Sequence, residues 1–265
     1  MTDISKLRSE IDAIDDKIIA LFNERSAIVK NVGKIKKATQ KSGISYIRSG
    51  READLIRSIY KKFKDNIFPA NAAVQIWRII ISASLTLESD LTVAVCDQEL
   101  DDRTYWLTRE YFGNFLPISR RKNAKDVIQD VMHGNVQVGV LPITGEAWWM
   151  DLPEHIKIFA CVPFILQHTE HQAEALAMAK IEPEATQDDI VLLKLTADRL
   201  LSQNEIAALF AKHEVKTRLL DNKEHSHLVE LTGLAKENAR IIPSVMQETG
   251  FAVTALGCYA TPLKI

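Results

Sequence analysis

Apolar residues recur at alternating steps of four and three positions near the start of the chain. They stand at positions 7, 11, 14, 18, 21, 28, 32 and 35, a heptad spacing that predicts one long amphipathic helix over residues 4–38. Two further stretches with helical spacing follow at 51–64 and 69–88, each preceded by a polar or proline-containing segment. The pattern therefore predicts an all-α segment of three helices within residues 1–90.

Beyond residue 90 the pattern changes to short apolar runs that alternate with helical segments, which is typical of an α/β region. A polar segment at 167–187 shows no clear periodicity, and we interpret it as a linker. The predicted strands are 91–96, 136–141 and 156–166, and the predicted helices are 103–112 and 125–133.

The last segment predicts the order strand, helix, strand, strand, helix, strand. This βαββαβ order is that of ferredoxin-like domains. We therefore expect a multidomain chain, with an all-α domain at 1–90, an α/β region with its linker at 91–187 and a ferredoxin-like tail at 188–265.

Composition narrows the functions that such a chain can serve. The net charge of −2 and the pI near 6.4 argue against a nucleic-acid partner. The three cysteines lack the spacing of a metal site, and neither an apolar leader nor an apolar run long enough for a membrane is visible. We expect a cytoplasmic protein with reduced thiols, no metal and no membrane partner. Residues 1–90 nevertheless hold 16 basic against 11 acidic residues, a surplus that favours a small anion.

One residue violates the apolar spacing of the first helix. Arg25 stands where the heptad requires an apolar side chain, and a guanidinium facing a core is costly unless an anion meets it. Lys36 follows eleven residues later and returns to within about 20° of the same side of the helix. Either a carboxylate such as Glu24 of a neighbouring chain pairs with Arg25, or a ligand that carries carboxylates binds both cations.

Arg8 lies on the same predicted helix but is too distant to join these two cations. It precedes Arg25 by 17 residues, which is about 25 Å along a straight helix and about 100° around it. It is either a surface arginine or part of the equivalent site of a second protomer packed antiparallel.

Other charged and polar residues stand near the ends of the shorter helices. Arg48 and Arg51 lie at the start of the second helix, whose N-terminus favours anions, with Glu52 beside them. Ser84 and Glu88 lie four residues apart at the end of the third helix. Glu52 also fits an ordinary first-turn acid, and the other pair also fits a solvated helix end.

The ordered set of these residues resembles the all-helical, AroQ-type chorismate mutases. The resemblance covers residues 4–88, with a change of loop length near 39–46. The motifs that carry it are Leu7-Arg8, Glu24-Arg25, Gly33-Lys34-Ile35-Lys36, Arg51-Glu52, and Ile80-Ile81 followed by Ser84 and Glu88.

The resemblance implies an intertwined homodimer with two active sites, chorismate as substrate, prephenate as product and no cofactor. It further implies that Arg25 and Arg51 hold the two substrate carboxylates, with Ser84 supporting one of them. Glu52 would accept a hydrogen bond from the substrate hydroxyl.

The same resemblance places Lys36 and Glu88 beside the ether oxygen of the substrate and takes Arg8 from the partner chain. Two positions depart from the commonest pattern of the family. Arg48 stands where an aspartate is frequent, so the resemblance assigns it no role, and Glu88 stands where a glutamine is frequent.

The rest of the chain resembles parts of enzymes that are often fused to such mutases. Residues 91–165 resemble one lobe of prephenate dehydratases, best at 138–143, and residues 188–265 resemble ACT regulatory domains. The Thr-Arg-Phe motif that carries dehydration is absent, and the amino-acid-binding motifs of ACT domains are not matched. We therefore expect a relic without dehydratase activity that regulates or stabilises the mutase.

Two histidine pairs, His168/His171 and His225/His227, have no third ligand at useful spacing, and we expect solvated loop histidines rather than a metal site.

Two other functions remain open on the sequence. The first is an isochorismate-pyruvate lyase, which resembles the same helical fold. The second is a non-catalytic regulatory protein that binds chorismate or an aromatic amino acid. An assay of the purified protein with chorismate and with isochorismate separates all three.

Overall fold

A computed structural model of the protein describes residues 3–39, 46–97, 102–166, 172–186, 188–213, 215–232 and 238–265. The N-terminal third is helical, as its spacing predicted, and consists of α1 (Ile4–Thr39), α2 (Ser49–Phe63) and α3 (Ala70–Glu88). The elements that follow are β1 (Val93–Cys96), α4 (Arg103–Phe112), β2 (Ile118–Arg121), α5 (Ala124–His133), β3 (Val138–Pro142), β4 (Lys157–Val162), β5 (Ile165–Leu166), β6 (Ala175–Ala179), β7 (Asp189–Thr196), α6 (Gln203–Phe210), β8 (Lys216–Lys223), β9 (Ser226–Thr232), α7 (Asn238–Thr249), β10 (Ala252–Ala260) and β11 (Leu263–Lys264).

Within the described residues, nine strands form one sheet in the order β2-β1-β3-β6-β4-β10-β7-β9-β8. Strands β1, β2 and β3 are parallel to one another, and the strands from β10 to β8 are antiparallel. The two short strands β5 and β11 pair separately. The chain after residue 90 is thus an α/β region, as predicted.

The segment predicted as a linker is part of this sheet, so that prediction is wrong. Strand β6 lies between β3 and β4 and pairs antiparallel with both. All five of its residues are buried. Its sequence, Ala-Leu-Ala-Met-Ala, combines small side chains with polar flanks, and this composition hides a central strand from a search for apolar runs.

The six tail elements occur in the predicted order, but their sheet continues the sheet of the preceding region. Strand β10 pairs antiparallel with β7 and parallel with β4, where Gly257 lies opposite Ile158. A second apolar cluster, which includes Phe210 and Val245, fills the space between α6, α7 and these strands.

The N-terminal helices share their core with the sheet. Ile56 of α2 and Val74 of α3 are fully buried in the same cluster as Val93 and Leu256. The α/β region therefore covers one side of α2 and α3, and the burial of these helices depends on it.

Helix α3 is, among the described residues, the one helix long and apolar enough to cross a bilayer by length and composition. This corrects the expectation that the chain contains no apolar run long enough for a membrane. Its side that carries Val74, Arg78 and Leu85 is buried inside the protein, and Arg78 makes an ion pair there. This arrangement is that of a core helix in a globular protein.

The histidine pairs fall in different places. His168 and His171 lie outside the described residues. His227 is not a solvated loop histidine, because it is fully buried in β9 and its Nε2 accepts from the backbone N–H of Leu201 at 2.8 Å. Burial lowers the pKa of His227 and thus favours the neutral ring.

The junction between β4 and β10 depends on a glycine, and this yields a stability prediction. Gly257 has φ +152°, and a methyl group there would collide with the backbone of Ile158. We expect Gly257→Ala to lower the free energy of unfolding by about 2–4 kcal/mol, since both strain and collision oppose it. Denaturant unfolding followed by circular dichroism measures this change.

The matched control is Gly134→Ala at the end of α5. Gly134 also has positive φ (+77°), but a methyl group there has open space around it. The backbone term alone should then cost about 1 kcal/mol. Equal losses in the two variants would contradict the role of Gly257 as the junction residue.

Candidate active site

A cavity of about 540 Å³ lies between α1, α2 and α3. Seven of the eight residues singled out from the sequence line it, and Arg8 does not. The seven are Arg25, Lys36, Arg48, Arg51, Glu52, Ser84 and Glu88. Residues far apart along the chain are thus brought together around one space large enough for a small molecule.

Helix α1 lies close to α3 at Gly33. A methyl group at Gly33 would lie 2.9 Å from the Cα of Glu88, so the absence of a side chain permits the contact. Lys36, one turn further on, places its Nζ 2.7 Å from Oε2 of Glu88. Two turns before Gly33, Nη1 of Arg25 donates to Oγ of Ser84 at 2.5 Å.

Helix α1 leaves its apolar seam largely exposed within the single chain. The apolar seam, which we define as positions 7, 11, 14, 18, 21, 28, 32 and 35, is 39–64% exposed. The partly or fully buried residues of α1 with a described side chain are Arg25, Ser26, Val29, Gly33 and Lys36. The two cations share one side of the helix, and the seam residues Leu21, Ile28 and Val32 line the same cavity as they do.

The N-terminus of α2 receives a carboxylate from the α/β region. Glu184, from the segment between β6 and β7, makes an ion pair with Nε of Arg48. Its second oxygen lies 3.5 Å from the backbone N of Arg51. An aspartate at position 48 would meet this carboxylate with a like charge, so the arginine fits its surroundings.

Glu52 pairs with Arg78, a residue that was not singled out from the sequence. Nη1 of Arg78, on α3, lies 3.1 Å from Oε2 of Glu52, and both side chains are nearly buried. Burial raises the pKa of Glu52, Arg78 opposes this rise, and the negative charge of Glu184 adds to it. The sequence feature that could have identified this residue is its place between Trp77 and Ile79, as a charged residue in the most apolar helix.

Arg8 lies on the exposed N-terminal half of α1, apart from the cavity. The structure therefore agrees with the estimate that it cannot reach the site of its own chain.

The cavity combines both signs of charge. Four basic residues line it, and the acidic ones are Glu24, Glu52 and Glu88. Lys36 and Arg48 already have carboxylate partners, whereas Arg25 donates to a neutral hydroxyl. Such a site is suited to an anion that also carries a hydrogen-bond donor. Among the described residues no cluster of His, Cys, Asp and Glu suits a metal ion.

The profile of the family described as chorismate mutase type II matches residues 7–89, the segment that forms this cavity. A chorismate mutase from Methanocaldococcus jannaschii is 31% identical over 85 residues, which cover 32% of this chain and 83% of that protein. The chain belongs to the chorismate mutase type II family. Its helices α1, α2 and α3 carry that relationship.

Longer relatives match beyond this segment. A bifunctional chorismate mutase/prephenate dehydratase from Aquifex aeolicus is 32% identical over 146 residues, which cover 54% of this chain and 39% of that enzyme. One from Pseudomonas aeruginosa is 29% identical over 142 residues and is covered to 38%. The chain thus spans less than half the length of these relatives. A solved prephenate dehydratase from Streptococcus mutans superposes with a TM-score of 0.46 at 14% identity, covering 66% of this chain and 100% of that one.

Proposed function

We propose that this protein is a chorismate mutase that converts chorismate to prephenate in the cavity between α1, α2 and α3. The observation that carries the proposal is the meeting of Arg25, Lys36, Arg51 and Glu52 at one cavity within the segment that matches the family. Chorismate carries two carboxylates, a hydroxyl and an ether oxygen. The cavity offers cations for the carboxylates and a hydrogen-bond acceptor for the hydroxyl.

The chemistry asks for positioning and charge rather than for a nucleophile. Chorismate rearranges through a compact cyclic transition state in which a C–O bond breaks and negative charge grows on the ether oxygen. Arg25 and Arg51 would each bind one carboxylate of chorismate. Together they would hold its compact conformer and so lower the entropic part of the activation barrier. Lys36 would lie by the ether oxygen and stabilise its developing charge.

The carboxylates of the site then have distinct roles. Glu52 accepts a hydrogen bond from the substrate hydroxyl, and Ser84 supports the carboxylate that Arg25 holds. Glu88 binds Lys36 at 2.7 Å and fixes its ammonium group at the cavity wall. Arg48, held by Glu184, lies at the N-terminus of α2 and adds positive potential for the dianion.

The active form is, in this proposal, an antiparallel homodimer. Eleven of the 21 large apolar side chains that are exposed among the described residues lie on α1. An exposed apolar surface of this extent favours a protein partner. A second copy whose α1 runs antiparallel would cover the seam and bring Arg8 to the cavity of its partner.

We further propose that the α/β region has no dehydratase activity and that the tail acts as an ACT-like regulatory or stabilising unit. Three free cysteines agree with a cytoplasmic location.

The first test of the function is loss of turnover in variants of the cavity. We expect Arg25→Ala and Lys36→Ala each to reduce kcat/KM for chorismate by about 100- to 1000-fold, because each removes a fixed positive or donor group from the transition state. The decrease in chorismate absorbance and the identification of prephenate measure this. Lys30→Ala, on the exposed side of the same helix, is the matched control and should keep wild-type rates. Release of pyruvate from isochorismate, or wild-type rates in both cavity variants, would contradict the assignment.

The second test asks whether Arg8 acts across the dimer. Arg8→Ala and Arg25→Ala chains are each expected to be inactive alone. Refolded together, they should recover about a quarter of the wild-type activity, since half of randomly paired dimers carry one intact site. No recovery in refolded mixtures that contain heterodimers would show that Arg8 is a surface residue.

The third test concerns the α/β region. The wild-type chain should form no phenylpyruvate from prephenate, because the Thr-Arg-Phe motif is absent. The product is followed by its absorbance in alkali, with a protein-free incubation as the control for acid-catalysed conversion. Enzyme-dependent phenylpyruvate above that background would reverse this part of the proposal.

A further inference from the structure

The most deeply buried ion pair beside the cavity involves an arginine outside the set that the family resemblance implies. Arg78 has a side chain that is 7% exposed, and its Nη1 lies 3.1 Å from Oε2 of Glu52. Glu52 lines the cavity, whereas Arg78 stands behind it on the side of the α/β region. Arg78 is thus connected to the cavity by its ion pair with Glu52.

The α/β region fixes this arginine in place. The Cζ of Arg78 lies 4.4 Å from the ring centroid of Tyr111, at the end of α4. A second ring, that of Phe164 between β4 and β5, lies 5.8 Å from the same atom. Such stacking stabilises a guanidinium and limits its freedom. One turn further along α3, Ser82 donates to the carbonyl oxygen of Phe112 and ties the two helices together.

We propose that Arg78 is a positioning residue of the mutase site, which holds the Glu52 carboxylate charged and aimed at the substrate hydroxyl while Tyr111 and Phe164 hold Arg78 itself. The proposal rests on the proposed function for its catalytic consequence. It gives the α/β region a direct part in the helical site, since two rings of that region set the position of a cavity carboxylate.

Several charged groups surround Glu52, and among the described residues Arg78 is the one joined to its carboxylate by a side-chain hydrogen bond. The charged groups are Glu24, Arg25 and Lys36 of α1, Arg48 before α2, Arg51 of α2, Arg78 and Glu88 of α3, and Glu184, and the titratable Tyr111 of α4 also interacts with Glu52. Burial raises the pKa of Glu52, the neighbouring Glu184 raises it further, and Arg78 lowers it. Without Arg78, burial and Glu184 still raise the pKa of Glu52, and the main group that lowers it is gone.

Loss of Arg78 should shift the pH dependence of kcat/KM to higher pH. The Glu52 carboxylate accepts a hydrogen bond from the substrate hydroxyl more strongly than the neutral acid does, so kcat/KM should fall as the pH drops through its pKa. Without Arg78 that pKa is higher, and the acid limb of the profile must move to higher pH.

The experiment compares pH profiles of kcat/KM for the full chain. In Arg78→Gln we expect an acid limb at higher pH and a kcat/KM at pH 6.5 about 10- to 100-fold below wild type, the weight of a hydrogen bond to a charged group. Arg78→Lys keeps the charge and should restore the limb most of the way. Arg109→Gln is the matched control, because Arg109 is a half-buried arginine on α4 that bonds Tyr105 and lies apart from Glu52. An acid limb that stays in place in Arg78→Gln overturns the proposal.

A double variant separates positioning from mere packing. Once Glu52→Gln has removed the carboxylate, adding Arg78→Gln should not move the pH profile any further. If Arg78→Gln alone does not fold, the double variant should fold, because it leaves no unpaired buried carboxylate. Equal loss of the fold in both would assign Arg78 to packing and overturn the proposal.

A spectroscopic readout distinguishes this proposal from the function on which it rests. The Glu52 carboxyl, labelled with ¹³C and assigned by its absence in Glu52→Gln, should titrate at higher pH in Arg78→Gln than in the wild type. If the wild-type protein is inactive, the mutase function is refuted, and this titration still tests whether Arg78 controls the charge of Glu52. If the enzyme is active but the titration does not move in Arg78→Gln, only the proposed role of Arg78 is refuted.

Discussion

The placing of several cations around one cavity is the constraint on which the rest of this structure depends. Like charges that are brought together and partly removed from water repel one another and lose hydration. Three acidic residues reduce this cost, with Glu88 at Lys36, Glu52 at Arg78 and Glu184 at Arg48. Under the proposed function, a substrate with two carboxylates adds the remaining negative charge.

These carboxylates come from different parts of the chain, and this links the helices to the sheet. Glu184 reaches the start of α2 from the segment between β6 and β7. Tyr111 and Phe164 stack on Arg78 from α4 and from the β4–β5 connection. The same region also covers Ile56 and Val74 of the helices. The α/β part therefore contributes both apolar burial and charge positioning to the site, even under a proposal that gives it no chemistry of its own.

Helix α1 differs from the other two helices because many of its large apolar side chains are exposed in the single chain. Gly33 permits the close contact with α3, and α1 supplies two of the four basic residues that line the cavity, Arg25 and Lys36. The apolar seam is 39–64% exposed in the single chain. In the proposed homodimer, a second copy would cover the exposed seam and supply Arg8.

The sequence by itself determined the local features and the identity of most site residues. Helical spacing predicted α1, α2 and α3, because periodic burial acts over neighbouring turns, and the ordered charges along them named seven residues that meet at one cavity. Only the tertiary structure decided which groups pair across long stretches of chain. Arg78 with Glu52, Glu184 with Arg48, and the central position of β6 each depend on residues distant in sequence. A buried ion pair or a strand of small residues leaves little local pattern, since its stability comes from partners that folding alone brings into contact.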